Sequence, residues 1–164
     1  MPQLTSFPKN MTTQEVVEYL TWMRGLRPSE ARRAAMESIA QVGLGPRARS
    51  KVGQLSGGMQ RRVGLAQALA SASDVVLLDE PSTGLDPEQR RTMVDLIGAL
   101  DRTVLMSSHV LEDVVEVASR VLVLNAGQIV FDGTVEQLKS LAPKGTEPGK
   151  AAEVGFLNVI SSAR

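Results

Sequence analysis

The chain has 164 residues with 18 basic and 18 acidic side chains, and 43% of its residues are apolar. This is the composition of a globular domain, and a net charge of zero excludes a strong general attraction to nucleic acid or to an anionic membrane. The absence of cysteine excludes disulfides, thiolate metal sites and a cysteine nucleophile, and a single histidine cannot build a multi-histidine zinc site.

The first part of the chain predicts three helices. Thr12 and Glu15 have the spacing of a capping box, and they would open a helix that ends near Gly25. Apolar residues at helical spacing predict a second helix over Pro28–Val42 and a third over Ser56–Ala70. We therefore expect this part to contain helices and no strands.

From residue 75 onward the apolar pattern predicts strands that alternate with helices. Asp86 has the position of a helix N-cap, with Gln89 placed to reach back to it. The alternation predicts an α/β unit with a parallel sheet. Its first strand has the continuous apolar pattern of a strand buried on both faces. The expected strands are Val75–Leu78, Thr103–Met106, Val121–Leu124 and Gln128–Phe131.

The chain is expected to have three parts. Residues 1–72 form a helical part, residues 73–142 form an α/β part, and residues 143–164 form a C-terminal tail. The stretch from Pro143 to Gly155 is polar and contains proline, glycine and lysine, which is typical of a linker. The predicted fold class is thus α/β, with a small helical part joined to an incomplete sheet.

Two carboxylates, Asp79 and Glu80, directly follow the first predicted strand. Ligands of open α/β sheets bind at the carboxyl ends of the strands. A carboxylate at that edge can hold Mg²⁺, and a second one beside it can orient or deprotonate a water molecule. The alternative is a strand that simply ends in a polar turn.

Two glycines, Gly57 and Gly58, follow Ser56 at the start of the third predicted helix. The N–H groups of a first helical turn have no acceptor within the helix and lie at the positive end of its dipole. Such a turn is an anion site, and phosphate is the expected anion. The alternative is a flexible turn before a helix.

A loop and the single histidine complete the candidate residues. The loop Ser82–Asp86 lies directly after the carboxylate pair, and His109 follows another predicted strand. A lone histidine is more often structural than catalytic, but a position at a strand end favours a functional role.

Together these segments resemble the ATP-binding cassette of ABC transporters, in the order and at the spacing of that family. Leu55–Gln60 resembles the signature motif, Val75–Glu80 resembles the Walker B strand with its catalytic glutamate, Ser82–Asp86 resembles the D-loop, and His109 resembles the switch histidine. The resemblance covers about residues 1–142. It implies a partial P-loop NTPase fold with a helical signature subdomain and an incomplete parallel sheet.

The resemblance implies a role for each matched residue in binding ATP and Mg²⁺. Asp79 would hold Mg²⁺, and Glu80 would be the general base for the attacking water. Gln3, in a segment that resembles the Q-loop, would reach both the metal and the water. His109 would contact the γ-phosphate, and Asp86 would couple the two sites of a cassette dimer. The residues implied to bind the nucleotide of a second cassette are Ser56, Gly57, Gly58 and Gln60.

The 164 residues contain no phosphate-binding loop of the form G-x-x-x-x-G-K-[ST]. The single Gly-Lys pair, Gly149-Lys150, is followed by Ala151 where Ser or Thr is required. The chain is therefore expected to begin at the Q-loop. The resemblance implies that the phosphate-loop strand of the family lies between the strands equivalent to Val75–Leu78 and Thr103–Met106. Without it, the chain should either be poorly stable or pair those two strands directly.

The implied function is that of the ATPase subunit of an ABC transporter, with an ABC-2-type exporter as the expected type. A transmembrane permease and a second cassette are the implied partners, and no nucleic acid is expected. No stretch reaches the roughly 18 apolar residues of a membrane helix, and the start lacks the pattern of a signal peptide. We expect a cytoplasmic chain, peripheral on the inner face of the cell membrane.

Two other functions stay open at this point. Residues 10–42 resemble the surface that receives the coupling helix of a membrane subunit, so the chain could be a non-catalytic interaction module. In that role it would dock on the membrane subunit or complete the site of a partner cassette. A DNA-maintenance ATPase shares two of the motifs, but zero net charge and the absence of heptad repeats disfavour it. For Tyr19 and Trp22, ordinary packing is the simplest expectation.

Overall fold

The computed structural model describes residues 1, 6–71 and 73–162. The chain divides into two compact units, Met1–Ser108 and His109–Arg164. None of the described helices is long and apolar enough to cross a membrane. The helices are α1 (Thr13–Met23), α2 (Pro28–Gln41), α3 (Gly57–Leu69), α4 (Pro87–Gly98), α5 (Leu111–Val117), α6 (Val135–Ser140) and α7 (Ala151–Ser162). The strands are β1 (Val75–Asp79), β2 (Thr103–Ser107), β3 (Val121–Asn125) and β4 (Gln128–Gly133).

Helix α1 begins with the predicted capping box. The N–H of Glu15 donates to Thr12 Oγ1 at 3.2 Å, and the N–H of Thr12 donates to the Glu15 carboxylate at 2.7 Å. These bonds satisfy two donors that the first turn would otherwise leave without a partner. The helix ends at Met23, and Gly25 follows with a φ of 98°, a left-handed conformation that glycine adopts without steric cost.

The core of the first unit lies where α1, α2 and α3 pack together. Val16 and Val17 enter it from α1, and Ala35 and Ile39 enter it from α2. Helix α3 was expected to bury one stripe, but every residue from 63 to 70 is buried. The reason is that α3 contacts α1, α2, α4 and β1, so it is covered on more than one side.

Strands β1 and β2 are direct neighbours in a parallel pair. The ladder joins five residue pairs in unbroken register, from Val75 with Thr103 to Asp79 with Ser107. Direct pairing was one of the two outcomes expected for these strands, and it is confirmed. On the opposite edge of β1, the N–H of Asp79 donates to the carbonyl oxygen of Met1 at 2.9 Å, and the Met1 amino group donates to the Leu77 carbonyl.

The expectation that this first strand is buried on both faces is wrong for the described residues. Val76 and Leu78 are 2% exposed, whereas Val75 is 47% and Leu77 is 60% exposed. Side chains of a strand point alternately to its two faces, and only one face of β1 is covered within the described part of the chain.

The second unit is built on the antiparallel pair β3 and β4, as the sequence predicts. The turn between them contains Ala126 and Gly127, both with positive φ. Arg120 and Asp132 clasp the pair through two hydrogen bonds of 2.7 and 2.8 Å. The hydrogen bond from Arg120 holds the pKa of the Asp132 carboxyl below its ordinary value.

The C-terminal tail is not a linker from Ala151 onward, because it forms helix α7. Phe156, Val159 and Ile160 pack against the buried cluster that contains Leu138 of α6. These residues recur at the spacing of one helical face, but the proline, glycine and lysine before them hid this pattern. The three-part division of the sequence stays a prediction.

Gly155 allows α7 to approach α6 closely. A Cβ atom at this position would overlap the carbonyl oxygen of Leu138 and come within 3.0 Å of its carbonyl carbon. A backbone group cannot swing aside as a flexible side chain can, so α7 would have to shift away.

We therefore expect Gly155→Ala to destabilise the second unit by about 1–3 kcal/mol, the usual range for overpacking. Urea unfolding, with hydrogen exchange of the α6 and α7 amides, measures the effect. Gly149→Ala is the matched control, since a Cβ at Gly149 meets nothing within 4 Å. Equal stability of the two variants would contradict the close packing of α7 on α6.

Candidate functional site

The two predicted carboxylates lie together where β1 ends. The β1–β2 register places Ser107 opposite Asp79, and Ser107 Oγ donates to Asp79 Oδ1 at 2.7 Å. The N–H of Glu80 lies 3.0 Å from Ser107 Oγ and 3.2 Å from the Ser107 carbonyl oxygen. The end of the neighbouring strand therefore fixes the turn that carries both carboxylates.

Glu80 adopts a left-handed backbone conformation, with a φ of 46°. A non-glycine residue in that region costs about 1–3 kcal/mol, and such residues cluster at functional sites. Its half-buried carboxylate accepts a hydrogen bond of 2.8 Å from Thr83 Oγ1. The bonds from Ser107 and Thr83 thus hold both the backbone and the side chain of Glu80.

The first turn of α3 has the geometry of an anion site. Ser56 is the N-cap: its Oγ accepts from the N–H of Met59 at 3.2 Å, and its carbonyl oxygen accepts from the N–H of Gln60 at 2.9 Å. The N–H groups of Gly57 and Gly58 are then the donors of this turn that can face an anion. A Cβ at Gly57 meets nothing within 4 Å, so the approach to this turn is open.

Gln60 was predicted to contact nucleotide, but its side chain has a structural contact here. Its Nε2 donates to the carbonyl oxygen of Leu55 at 3.1 Å, which braces the turn before α3. Contact between Gln60 and nucleotide therefore stays a prediction.

The loop after the carboxylates connects them to α3. Asp86 caps α4 as predicted, since its Oδ1 accepts from the N–H of Gln89 at 2.9 Å. The expected reach-back of the Gln89 side chain is wrong, because that side chain lies where a Cβ of Gly58 would be. Arg61 of α3 donates to the carbonyl oxygen of Thr83 at 3.0 Å.

The sequence also predicts Gln3 and His109 as site residues. Gln3 lies outside the described residues. His109 is exposed, lies in the segment between β2 and α5, and is the first residue of the second unit.

The side-chain oxygens at the end of β1 suit Mg²⁺ if phosphate and water supply the remaining ligands. No group of three His, Cys, Asp or Glu side chains that could hold a metal occurs among the described residues. Asp79 and Glu80 supply carboxylates and Ser107 supplies a hydroxyl. Mg²⁺ commonly binds one or two carboxylates together with phosphate oxygens and water, so these residues fit a metal that arrives with a phosphate ligand.

The sequence analysis assigned no role to two residues of this region, Ser107 and Arg61, and it named Thr83 only as part of the loop Ser82–Asp86. Ser107 could have been found as a polar residue at the end of a strand, as Asp79 was. Arg61 acts through a hydrogen bond to Thr83, 22 residues away in the sequence, for which the sequence carries no local signal.

A second candidate surface is a groove of about 640 Å³ beside α1, lined by Asn10, Met11, Glu15, Glu18, Tyr19, Trp22 and Pro28. The two aromatic rings are tilted against each other, with centroids 5.9 Å apart. Tyr19 is 49% and Trp22 is 50% exposed, so these rings are not core residues.

The known proteins that this chain resembles in sequence are named as ATP-binding proteins. The chain is 38% identical to the phosphonates import ATP-binding protein PhnC 1 of Pseudomonas aeruginosa over 85% of its own length and 46% of that protein. It is 45% identical to the energy-coupling factor transporter ATP-binding protein EcfA2 of Symbiobacterium thermophilum over 69% of its own length and 41% of that protein. It is 32% identical to the linearmycin resistance ATP-binding protein LnrL of Bacillus subtilis over 85% and 46%. The chain thus spans about half the length of the curated relatives it matches.

The fold is also similar to that of an ABC transporter. A metal-chelate type ABC transporter solved in an inward-facing conformation matches with a TM-score of 0.74 and 26% identity, over 84% of this chain and 58% of that one. The family model described as ABC transporter matches residues 1–83. The helical subdomain, the signature-like turn and the partial parallel sheet are those of a partial P-loop NTPase cassette, and the chain belongs to the ABC transporter family as part of its nucleotide-binding domain.

Proposed function

We propose that the chain serves as part of the ATP-hydrolysing subunit of a membrane transporter. The observation that carries the proposal is the turn at Asp79 and Glu80, which Ser107 and Thr83 fix at the carboxyl end of a parallel sheet. This is where ligands of open α/β sheets bind, and two adjacent carboxylates suit a metal-bound phosphate and an attacking water.

Each carboxylate has a distinct proposed role. Asp79 holds Mg²⁺, with Ser107 orienting its carboxylate, and Glu80 positions the attacking water and accepts its proton. Mg²⁺ supplies charge neutralisation at the phosphates when it is bound. Gln3 is proposed to contact the metal and the water, and His109 is proposed to contact the γ-phosphate. Phosphoryl transfer depends mostly on such positioning and electrostatic stabilisation.

The first turn of α3 is proposed to bind the γ-phosphate of an ATP molecule held by a second cassette. Gly57 and Gly58 present N–H groups, while Ser56 and Gln60 hold the turn in shape. Asp86 is proposed to couple this site to the second one. The 164 residues contain no phosphate loop, so the test below supplies ATP on a complete cassette.

The second proposed partner is a transmembrane permease, which would dock in the groove beside α1. This places the working chain on the cytoplasmic face of a membrane. An ABC-2-type exporter stays a prediction, since the relatives' names include phosphonate import as well as linearmycin resistance. The groove also favours the second candidate function, an interaction module that docks without hydrolysing ATP.

The test combines the chain with a complete ATP-binding cassette whose catalytic glutamate is replaced by glutamine, so that ATP is bound but not consumed. Sedimentation should show a complex with MgATP and none without nucleotide. Calorimetry of the chain alone with MgATP should show no binding tighter than about 1 mM, the weak end of the affinity scale. Micromolar binding to the chain alone, or association that ignores MgATP, would contradict the proposal.

Gly57→Asp should weaken this association without unfolding the chain. There is room for the side chain at Gly57, and an acidic residue in a first helical turn stabilises the helix by about 0.3–1 kcal/mol. The same carboxylate repels a phosphate, so we expect the ATP-dependent affinity to fall at least about ten-fold, or 1.4 kcal/mol. Gly149→Asp introduces the same charge at another glycine with open space and should leave the affinity unchanged.

The contact between Gly58 and Gln89 generates a separate prediction about stability. A Cβ at Gly58 would overlap Gln89 Oε1 and come within 2.9 Å of Gln89 Cγ, whereas Gly57 has no such neighbour. Gly57→Ala should be neutral or stabilising by up to about 1 kcal/mol, because alanine favours the helix. Gly58→Ala should lose that gain or destabilise, and adding Gln89→Ala should restore it. Urea unfolding of both singles and the double gives the coupling, and strictly additive effects would refute this contact.

A further inference from the structure

One face of α1 carries two carboxylates followed by two aromatic rings. Glu15, Glu18, Tyr19 and Trp22 lie at positions i, i+3, i+4 and i+7, so they form one stripe along the helix. All four line the groove beside α1. We call them the acid–aromatic stripe.

The rings of the stripe do not belong to the core. Tyr19 and Trp22 are each about half exposed, while the core side of α1 is filled by Val16 and Val17. Two exposed rings with centroids 5.9 Å apart are unusual on a helix face that contacts only solvent. Aromatic faces do attract cations, with tryptophan the strongest, at about 0.5–2 kcal/mol.

The carboxylates of the stripe add negative charge next to the rings. The Glu15 carboxylate accepts hydrogen bonds from the N–H and the hydroxyl of Thr12, and Glu18 accepts one from Gln14 at 3.3 Å. The Thr12 bonds hold the pKa of Glu15 below its ordinary value, with a smaller contribution from Lys51, so Glu15 is ionised at neutral pH. The groove is therefore both aromatic and anionic.

We propose that the acid–aromatic stripe binds an arginine side chain carried by a helical segment of the membrane partner. A planar guanidinium can stack on Trp22 while its N–H groups donate to Glu18, a combination that the compact ammonium of lysine matches less well. Met11 and Pro28 at the rim would receive the apolar side chains that flank the arginine. The inference rests on the proposed permease docking and specifies the chemistry of the docked segment.

Trp22 is the only tryptophan of the chain, so its fluorescence reports on the groove directly. The probes are three synthetic 16-residue helical peptides of alanine and leucine, with blocked ends, that differ only in one central residue: arginine, lysine or glutamine. The full 164-residue chain is titrated with each. We expect the arginine peptide to bind about ten-fold more tightly than the glutamine peptide, with lysine between them, and this preference to shrink in 0.5 M NaCl.

Glu18→Gln tests the carboxylate separately from the apolar contacts. It should weaken binding of the arginine peptide about five-fold and leave binding of the glutamine peptide unchanged. Glu37→Gln is the matched control, since Glu37 lies on α2 outside the groove, where it pairs with Arg33 at 3.9 Å. Circular dichroism confirms that both variants are folded.

Three results would overturn the inference: equal affinity for the arginine and glutamine peptides, no binding of any peptide, or an equal loss for both peptides in Glu18→Gln. None of them bears on the ATP-dependent association with a second cassette, which is measured without a peptide. Failure of the stripe and failure of the proposed ATPase role are thus distinguishable.

Discussion

The parallel register of β1 and β2 is the constraint on which the candidate site depends. Because Asp79 pairs with Ser107, one hydroxyl reaches both the Asp79 carboxylate and the N–H of Glu80. A slip of one residue would turn Ser107 to the other face of the sheet, and the left-handed turn at Glu80 would lose the bonds that hold it. Five backbone pairs thus position two carboxylates, one on the last residue of the ladder and one directly after it.

The sequence predicted most accurately what is decided locally. Thr12 and Asp86 are N-caps in the structure because a side chain and an N–H three residues later suffice to form the bond. The candidate carboxylates also follow from local order, since they come directly after an apolar strand. The hydrogen bonds of Ser107 to Asp79 and Glu80 could not be predicted in this way, because they depend on which distant strands become neighbours.

The apolar pattern of the sequence did not predict correctly which side chains are buried. The run from Val75 to Leu78 is apolar at every position, yet Leu77 is exposed and Leu78 is buried. The same limit applies to Tyr19 and Trp22, which the apolar pattern assigned to packing. In α7 the error was the reverse: the polar composition before residue 155 hid an apolar face that packs on Leu138.

In the first unit, the same helices have both buried parts and open parts. The rear of α3 is buried from 63 to 70, while its first turn stays open at Gly57. Helix α1 buries Val16 and Val17 and exposes Tyr19 and Trp22. Arg61 bonds to the carbonyl of Thr83, whose hydroxyl bonds to Glu80, so the anion turn of α3 and the carboxylate turn share one chain of contacts. Two hydrogen bonds therefore link the two turns at which we propose nucleotide contacts.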